Sequence, residues 1–268
     1  MGGQGLKLGT VPYLNARPLT LALEDLEGVS LRAEPPAQLL PLLESGEIDG
    51  ALISTFAMFH LLGARYVPGA GIVSRGRVRS IRLFCRKPPE DLKRVGLDNW
   101  SLSAANMTRV ILKRKWNVSP EFLPVDPVCP PRDDESLDAF LLIGDNALRE
   151  PQGDFDVVDL GEAWESFTGL PFVYALWVFR RGAGGPDAAR LLQRALREGL
   201  ARLDEIIAGA ARDLPCIDEV AARDYLTNCI RYNVGSDEEA GLRRYYEYLA
   251  EDGLAPPGWE ADQARMGA

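Results

Sequence analysis

The chain has 268 residues, 46% of them hydrophobic and 26% charged, the composition of a globular protein rather than a disordered or fibrous one. This length suits two modest lobes or one large domain and excludes a small scaffold stapled by disulfides or metal. The 39 acidic against 30 basic residues give a net charge of -9, so nucleic acid and anionic membrane surfaces are not expected partners. An anionic small molecule can still bind where backbone amides or a few arginines converge.

The first half alternates short apolar runs with helical patterns: LKLGTV, PLTLALEDL, QLLPLLESGE, GALIS and FAMFHLLG. That alternation predicts βαβ units around a largely parallel sheet, hence an α/β fold. The strand IRLFCR at 81–86 precedes the punctuation KPPEDL at 87–92, after which a second series begins. It comprises a strand at 95–98, a helix near 104–116, and strands at 122–125, 139–145 and 155–160. FVYALWVFR at 172–180 is a second long apolar strand, and with 81–86 it flanks the middle section as a candidate crossing between lobes. From Pro186 the chain turns helical, with Leu192, Leu196, Leu200, Leu203 and Ile207 expected on one face. A helix over Ile217–Tyr232 follows, then one from Ser236 to Leu254 opened by a capping box of Ser236 and Glu239, and a tail from Ala255 expected to fray.

One histidine, His60, and four cysteines, Cys85, Cys129, Cys216 and Cys229, without a CxxC pair, argue against a zinc site or a Cys–His nucleophile. Four reduced, buried thiols are expected. The start MGGQGLKLGTVPYL has no basic region followed by an apolar run, and no apolar stretch nears the ~18 residues that cross a bilayer. A soluble, cytoplasmic protein is therefore expected.

Three strand ends run into a group that can cap a helix or meet an anion: Ser54 with Thr55, Ser101 with Ser103, and Gly144 with Asp145. In open α/β sheets ligands gather at such carboxyl ends, and three comparable sites suggest a shared cleft. TVPYLNARPL at 10–19 places Tyr13, Asn15 and Arg17 within five residues. The amide of Asn15 can donate and accept, and Arg17 offers a planar fork for a carboxylate; an Asx turn beside a surface arginine is the alternative. Arg79-Ser80 and Thr168-Gly169, before the two candidate crossings, are either cleft groups or ordinary loop polarity. Asp98, Asp145, Asp156 and Asp159 end strands without the spacing of an acid–base pair.

Taken together, VPYLNARPL (11–19), RSIRLF (79–84), LDNWSLSAANMTRVIL (97–112), FLLIGDNAL (140–148), DLGEAWESFTGLPFVYALW (159–177) and IRYNVG (230–235) resemble the chorismate dehydratases of the futalosine route to menaquinone. The resemblance implies a two-lobed fold like the type II periplasmic binding proteins, with lobes of 1–87 plus 177–268 and of 88–176 and a helical C-terminal region. It implies conversion of chorismate to 3-[(1-carboxyvinyl)oxy]benzoate and water, with no cofactor and no metal. Carried over residue by residue, Asn15 and Ser80 are the expected catalytic groups, and Ser103, Thr168 and the backbone around Gly144 and Asp145 are expected substrate contacts; Arg17, Ser54 and Gly169 join those expected contacts from the reading of the residues above. The family tends to carry a second hydroxyl beside Ser103, where this chain has Ala104 and Ala105.

No side chain in this set is an obvious base, since His60 lies in the helical run FAMFHLL. The expected base is the enolpyruvyl carboxylate of the substrate, held by Asn15 and Ser80, with Asp145 as the alternative. Two rival readings stand beside this one. A sister enzyme of the pathway, which cleaves a cyclised futalosine, uses a cleft histidine, and none follows FLLIG here. A non-catalytic binding protein for a small aromatic acid would share the fold.

Overall fold

The computed structural model describes residues 5–98, 102–126, 129–214 and 217–267. In chain order the first half holds β1 (Leu6–Thr10), α1 (Arg17–Thr20), β2 (Val29–Ala33), α2 (Pro36–Ser45), β3 (Gly50–Ser54), α3 (Thr55–His60), β4 (Arg65–Ser74) and β5 (Ile81–Cys85). The middle holds β6 (Arg94–Asp98), α4 (Leu102–Lys115), β7 (Glu121–Val125), β8 (Ala139–Ile143), α5 (Gly144–Arg149), β9 (Asp156–Asp159) and α6 (Leu160–Thr168). After β10 (Phe172–Phe179) come α7 (Pro186–Ala201), α8 (Leu203–Asp213), α9 (Glu219–Asp224), a π-helical turn (Tyr225–Cys229), α10 (Ser236–Glu251) and α11 (Ala261–Ala264).

These strands form two five-stranded sheets, ordered β2-β1-β3-β10-β4 and β7-β6-β8-β5-β9. The plans match: three parallel strands, then one antiparallel strand, then an edge strand paired antiparallel to it. Every residue of β8 is buried, as are four of the five in β3, the pattern of strands covered on both faces. The two-lobed α/β architecture read from the sequence is thus present.

The crossings lie elsewhere than expected. β5 pairs along its whole length with β8 and β9 in the second sheet, and β10 pairs with β3 and β4 in the first. A division at 87/88 and 176/177 would cut both strands from their own sheets, so the chain crosses at 75–80 and again at 160–171. The physical reason is that an apolar strand needs ladder partners on both edges along its length, which a segment spanning a cleft lacks.

The helical region also departs in detail from its expected form. The run from Pro186 breaks at Arg202, whose N–H reaches both the Glu198 and Gly199 carbonyls. Gly199 packs so tightly on the Pro18 carbonyl that a Cβ would stand 2.0 Å from its oxygen. The buried stripe of α7 therefore runs through Ala189, Leu192, Ala195, Leu196 and Gly199, and Leu200 is exposed. Ile217–Tyr232 is not one helix: it is α9, the π turn and an extended segment paired with β4 through Val73 and Arg231. At the start of α10 Glu238, not Glu239, accepts from the Gly235 N–H, while Glu239 is buried and accepts from the Tyr66 hydroxyl at 2.9 Å. The tail is docked, since Met266 is buried and its N–H donates to the Tyr66 carbonyl. Of the cysteines, Cys85 and Cys229 are buried and Cys129 is exposed, contrary to expectation; Cys216 and Ser101 lie outside the described residues. No helix among the described residues is long and apolar enough to cross a membrane.

Candidate functional site

The carboxyl ends of β1, β3 and β8 face one another between the two sheets, and the first crossing passes beside them. They enclose a narrow cavity of about 80 Å³ that opens to solvent. Val11, Leu52, Ile72, Val78, Ile81, Ile143 and Ile230 supply apolar walls, and Tyr13, Asn15, Ser54, Ser80, Ser103 and Tyr174 supply the polar groups. Among the described residues lining this cleft none is charged.

Asn15 sits in the 3-10 turn Leu14–Ala16 that leads from β1 into α1. Its Oδ1 is buried and makes no hydrogen bond. Ser80 ends the first crossing, 1% exposed, and its Oγ is likewise buried without a partner. The backbone fixes Ser80 firmly: its N–H donates to the Val78 carbonyl and its own carbonyl accepts from the Gly144 N–H, both at 2.7 Å. Before it, Arg79 holds φ 62, a conformation unusual outside glycine. The carboxylate of Asp159 locks that turn, accepting from the Val78 and Arg79 N–H groups on one crossing and from Gly161 and Glu162 on the other.

The other expected residues divide into those in the cleft and those outside it. Ser54 lines the cleft and also caps α3, accepting from the Ala57 N–H at 3.2 Å, so both readings of that hydroxyl hold. Ser103 lines it too, but its Oγ accepts from the Phe56 N–H at 3.0 Å and lies 3.3 Å from Thr55 Oγ1. Thr55 spends its own proton on the Val173 carbonyl, so Ser103 is the donor to Thr55 and has none left for a ligand. Gly144 has φ 57 and lies under the Tyr13 ring, 3.0 Å from where a Cβ would stand. Ala104 lines the cleft and contributes no hydroxyl to it.

Asp145 points the other way. It lines a neighbouring groove with Tyr13, Leu14 and Arg17, where its carboxylate accepts from the Leu14 N–H at 3.3 Å. Burial raises its pKa, opposed by that hydrogen bond and by Arg149. Arg17 pairs with Glu24 in the same outer region and is absent from the cleft lining. Thr168 closes α6, donating to the Trp164 carbonyl and accepting from the Leu170 N–H, and Gly169 is its left-handed C-cap. Neither lines the cleft.

Sequence reasoning missed the tyrosines. Tyr174, in a strand read as a crossing, lines the cleft and shares a 2.9 Å hydrogen bond with Ser74. Tyr225 is fully buried, and its hydroxyl lies beside the Ser80 hydroxyl and the Asn15 amide, although Tyr225 Oη, Ser80 Oγ and Asn15 Oδ1 make no hydrogen bond of good geometry. Burial raises both phenols' pKa values, so they stay protonated near neutrality. IRYNVG marked this region only as part of a resemblance.

The model of a family described as menaquinone biosynthesis matches residues 6–251. A chorismate dehydratase of Thermus thermophilus is 32% identical over 267 residues, covering 90% of this chain and 94% of that protein. Among solved structures, an Archaeoglobus fulgidus protein superposes with a TM-score of 0.73 at 21% identity, covering 95% of this chain and 100% of the other. The periplasmic aliphatic sulphonate binding protein of Escherichia coli gives 0.69 at 16% identity, with 98% and 92% covered. The alkanesulfonate-binding protein of Xanthomonas axonopodis, bound to MOPS, gives 0.71 at 17%, with 98% of each covered. These structural likenesses show the fold alone.

They also correct the expected cytoplasmic location: the fold is shared with a periplasmic substrate-binding protein and does not support that compartment. With a family model matching nearly the whole chain and a relative at 32% identity, the protein belongs to the menaquinone-biosynthesis family, as a lyase-type enzyme related to chorismate dehydratase.

Proposed function

We propose that this enzyme converts chorismate to 3-[(1-carboxyvinyl)oxy]benzoate and water, with Asn15 and Ser80 holding the reacting end of the substrate. The observation that carries this reading is the pairing of an uncharged cleft with two buried, unpartnered polar groups on its wall. The Thermus relative supplies the reaction class.

The chemistry follows from the substrate. Removal of the C3 proton delocalises charge through the C1–C2 double bond onto the ring carboxylate. Loss of the C4 hydroxyl then forms the C3–C4 double bond and completes an aromatic ring. A base is needed at C3 and a proton at the departing hydroxyl. The enolpyruvyl carboxylate hangs from the oxygen on C3 and is the base in our reading; the proton it takes can leave with the C4 hydroxyl as water.

A neutral cleft suits that role. An arginine would hold the carboxylate as a stable ion pair and lower its basicity, whereas burial among apolar walls raises it. Neutral donors, the Asn15 amide and the Ser80 hydroxyl, orient the group without an ion pair. The placement of Asp145 in the outer groove, with its carboxylate on the Leu14 N–H, weighs against it as the base.

The test is to incubate the purified protein with chorismate and follow aromatic absorbance and product mass. Loss of one water supports the proposal. Binding of chorismate without change would leave a binding protein and defeat it.

A further inference from the structure

Two polar atoms of cleft-lining residues, Asn15 Oδ1 and Ser80 Oγ, are buried and unpaired, and so is the Tyr225 hydroxyl beside them, outside the lining itself. Tyr225 reaches this place by an unusual local route. It opens the π-helical turn Tyr225–Cys229, where its carbonyl accepts from the Ile230 N–H at 3.0 Å, and such widened turns are frequent at functional sites. Ile230 lines the cleft and Arg231 is bridged to Val73 of β4. On the other side Asp224 accepts from Arg79 Nη1 at 3.0 Å, one residue before Ser80. Tyr225 is thus clamped from both sides against the end of the first crossing.

Counting donors and acceptors sets the roles. A substrate carboxylate needs donors, and the cleft wall offers the Asn15 Nδ2–H and the Ser80 Oγ–H. If Asn15 turns its Nδ2 to the carboxylate, its Oδ1 faces inward and needs a donor of its own. The Tyr225 hydroxyl lies beside both groups and carries one proton.

We propose that Tyr225 is a positioning residue, its hydroxyl donating to Asn15 Oδ1 when substrate is bound and so holding the Asn15 amide with Nδ2 toward the substrate carboxylate. This rests on the reading of Asn15 given above. Without that hydroxyl the amide is free to turn over and present Oδ1 to the carboxylate, two acceptors face to face. Because burial keeps the phenol protonated, the donor persists across the neutral range.

The test is a double-mutant cycle on kcat and KM with chorismate, using Tyr225→Phe, Asn15→Ala and the double variant, with Tyr232→Phe as a control. Like Tyr225, Tyr232 carries a buried, unpartnered hydroxyl outside the cleft lining, but only the Tyr225 hydroxyl lies beside Asn15 and Ser80. Tyr225→Phe removes only an unpaired hydroxyl, so its melting temperature should equal or exceed that of the wild type. Its kcat should fall by about 10²-fold, the cost of a misplaced group, with KM changed less. In the Asn15→Ala background the same substitution should cost nothing further. Tyr232→Phe should keep wild-type kcat.

Wild-type kcat in Tyr225→Phe beside an impaired Asn15→Ala overturns the role of Tyr225 alone. An equal loss in both backgrounds, or a matching loss in Tyr232→Phe, makes the tyrosine merely structural and overturns it too. Wild-type kcat in Asn15→Ala brings down the reading of the cleft and this proposal with it.

Discussion

At the crossings the Asp159 carboxylate collects four backbone N–H groups at 2.7–3.2 Å, two from each segment that joins the lobes. Across the cleft the lobes touch through single bonds, the Phe56 N–H to Ser103 Oγ at 3.0 Å, the Leu14 N–H to Asp145 at 3.3 Å and the Tyr245 hydroxyl to the Ser103 carbonyl at 3.0 Å, and beside these the Asp252 carboxylate accepts from Lys113 at 2.5 Å and Arg114 at 3.1 Å of α4. Hydrogen bonds to a charge are about twice as strong as neutral ones, and removing an acceptor shared by several donors leaves all of them unsatisfied. A lone bond such as that from Phe56 to Ser103 Oγ leaves only its own donor unsatisfied when it is lost. The contrast makes Asp159 the shared anchor of both crossings, whereas the contacts around Ser103 are single bonds.

The sharpest way to break this comparison is Asp159→Ala. It strips the acceptor from both crossings and should cost about 3 kcal/mol, read as a lower urea midpoint. A loss below about 1 kcal/mol would mean that the crossings are held by something else. Gly144→Ala comes next, since it forces a side chain into φ 57 and against the Tyr13 ring. We expect about 1–2 kcal/mol of destabilisation, and a larger loss in kcat/KM than a surface Gly→Ala change such as Gly253→Ala, which has nothing within 4 Å.

Ser103→Ala tests the single bonds across the cleft. It removes one acceptor and one donor between the lobes, so about 1 kcal/mol of stability should go. A rise in KM with a smaller change in kcat is expected, because the hydroxyl bonds to Phe56 and Thr55 rather than to the reacting atoms. The reverse split, a large kcat loss at unchanged KM, would place it among the groups acting in the transition state.

The smallest effect concerns Asp145. Its raised native pKa means the folded protein binds more protons than the unfolded chain between the two pKa values. Stability therefore falls as pH rises through that window, and the penalty is fully present above it. Asp145→Asn keeps an acceptor for the Leu14 N–H and removes the penalty, so its stability should vary less with pH across the acid range. Denaturation curves at several acid pH values check this, and a steeper pH dependence in the variant would contradict it.

Much of the fold was legible because alternating apolar runs and helical patterns depend on local chemistry. The two crossings were not, since an apolar run such as IRLFCR reads the same whether it spans a cleft or sits in the middle of a sheet. Asn15 and Ser80 came through as cleft residues, carried by motif. Arg17 did not: two positions along a helical stretch rotate a side chain by about 200°, so Arg17 faces away from Asn15 and meets Glu24. Thr168-Gly169 spelled a helix end, which is how the structure uses it. Tyr225 was invisible because its importance lies in meeting Asn15 and Ser80 from more than a hundred residues away.

The claim at the centre of this account is that a neutral cleft lets the substrate's own carboxylate act as base. The most direct measurement compares chorismate with an analogue esterified at the enolpyruvyl carboxylate, following binding by calorimetry and aromatic product by absorbance and mass. The account predicts that chorismate is dehydrated while the ester binds and is returned unchanged. Dehydration of the ester at a rate near that of chorismate would put the base on the protein and contradict it.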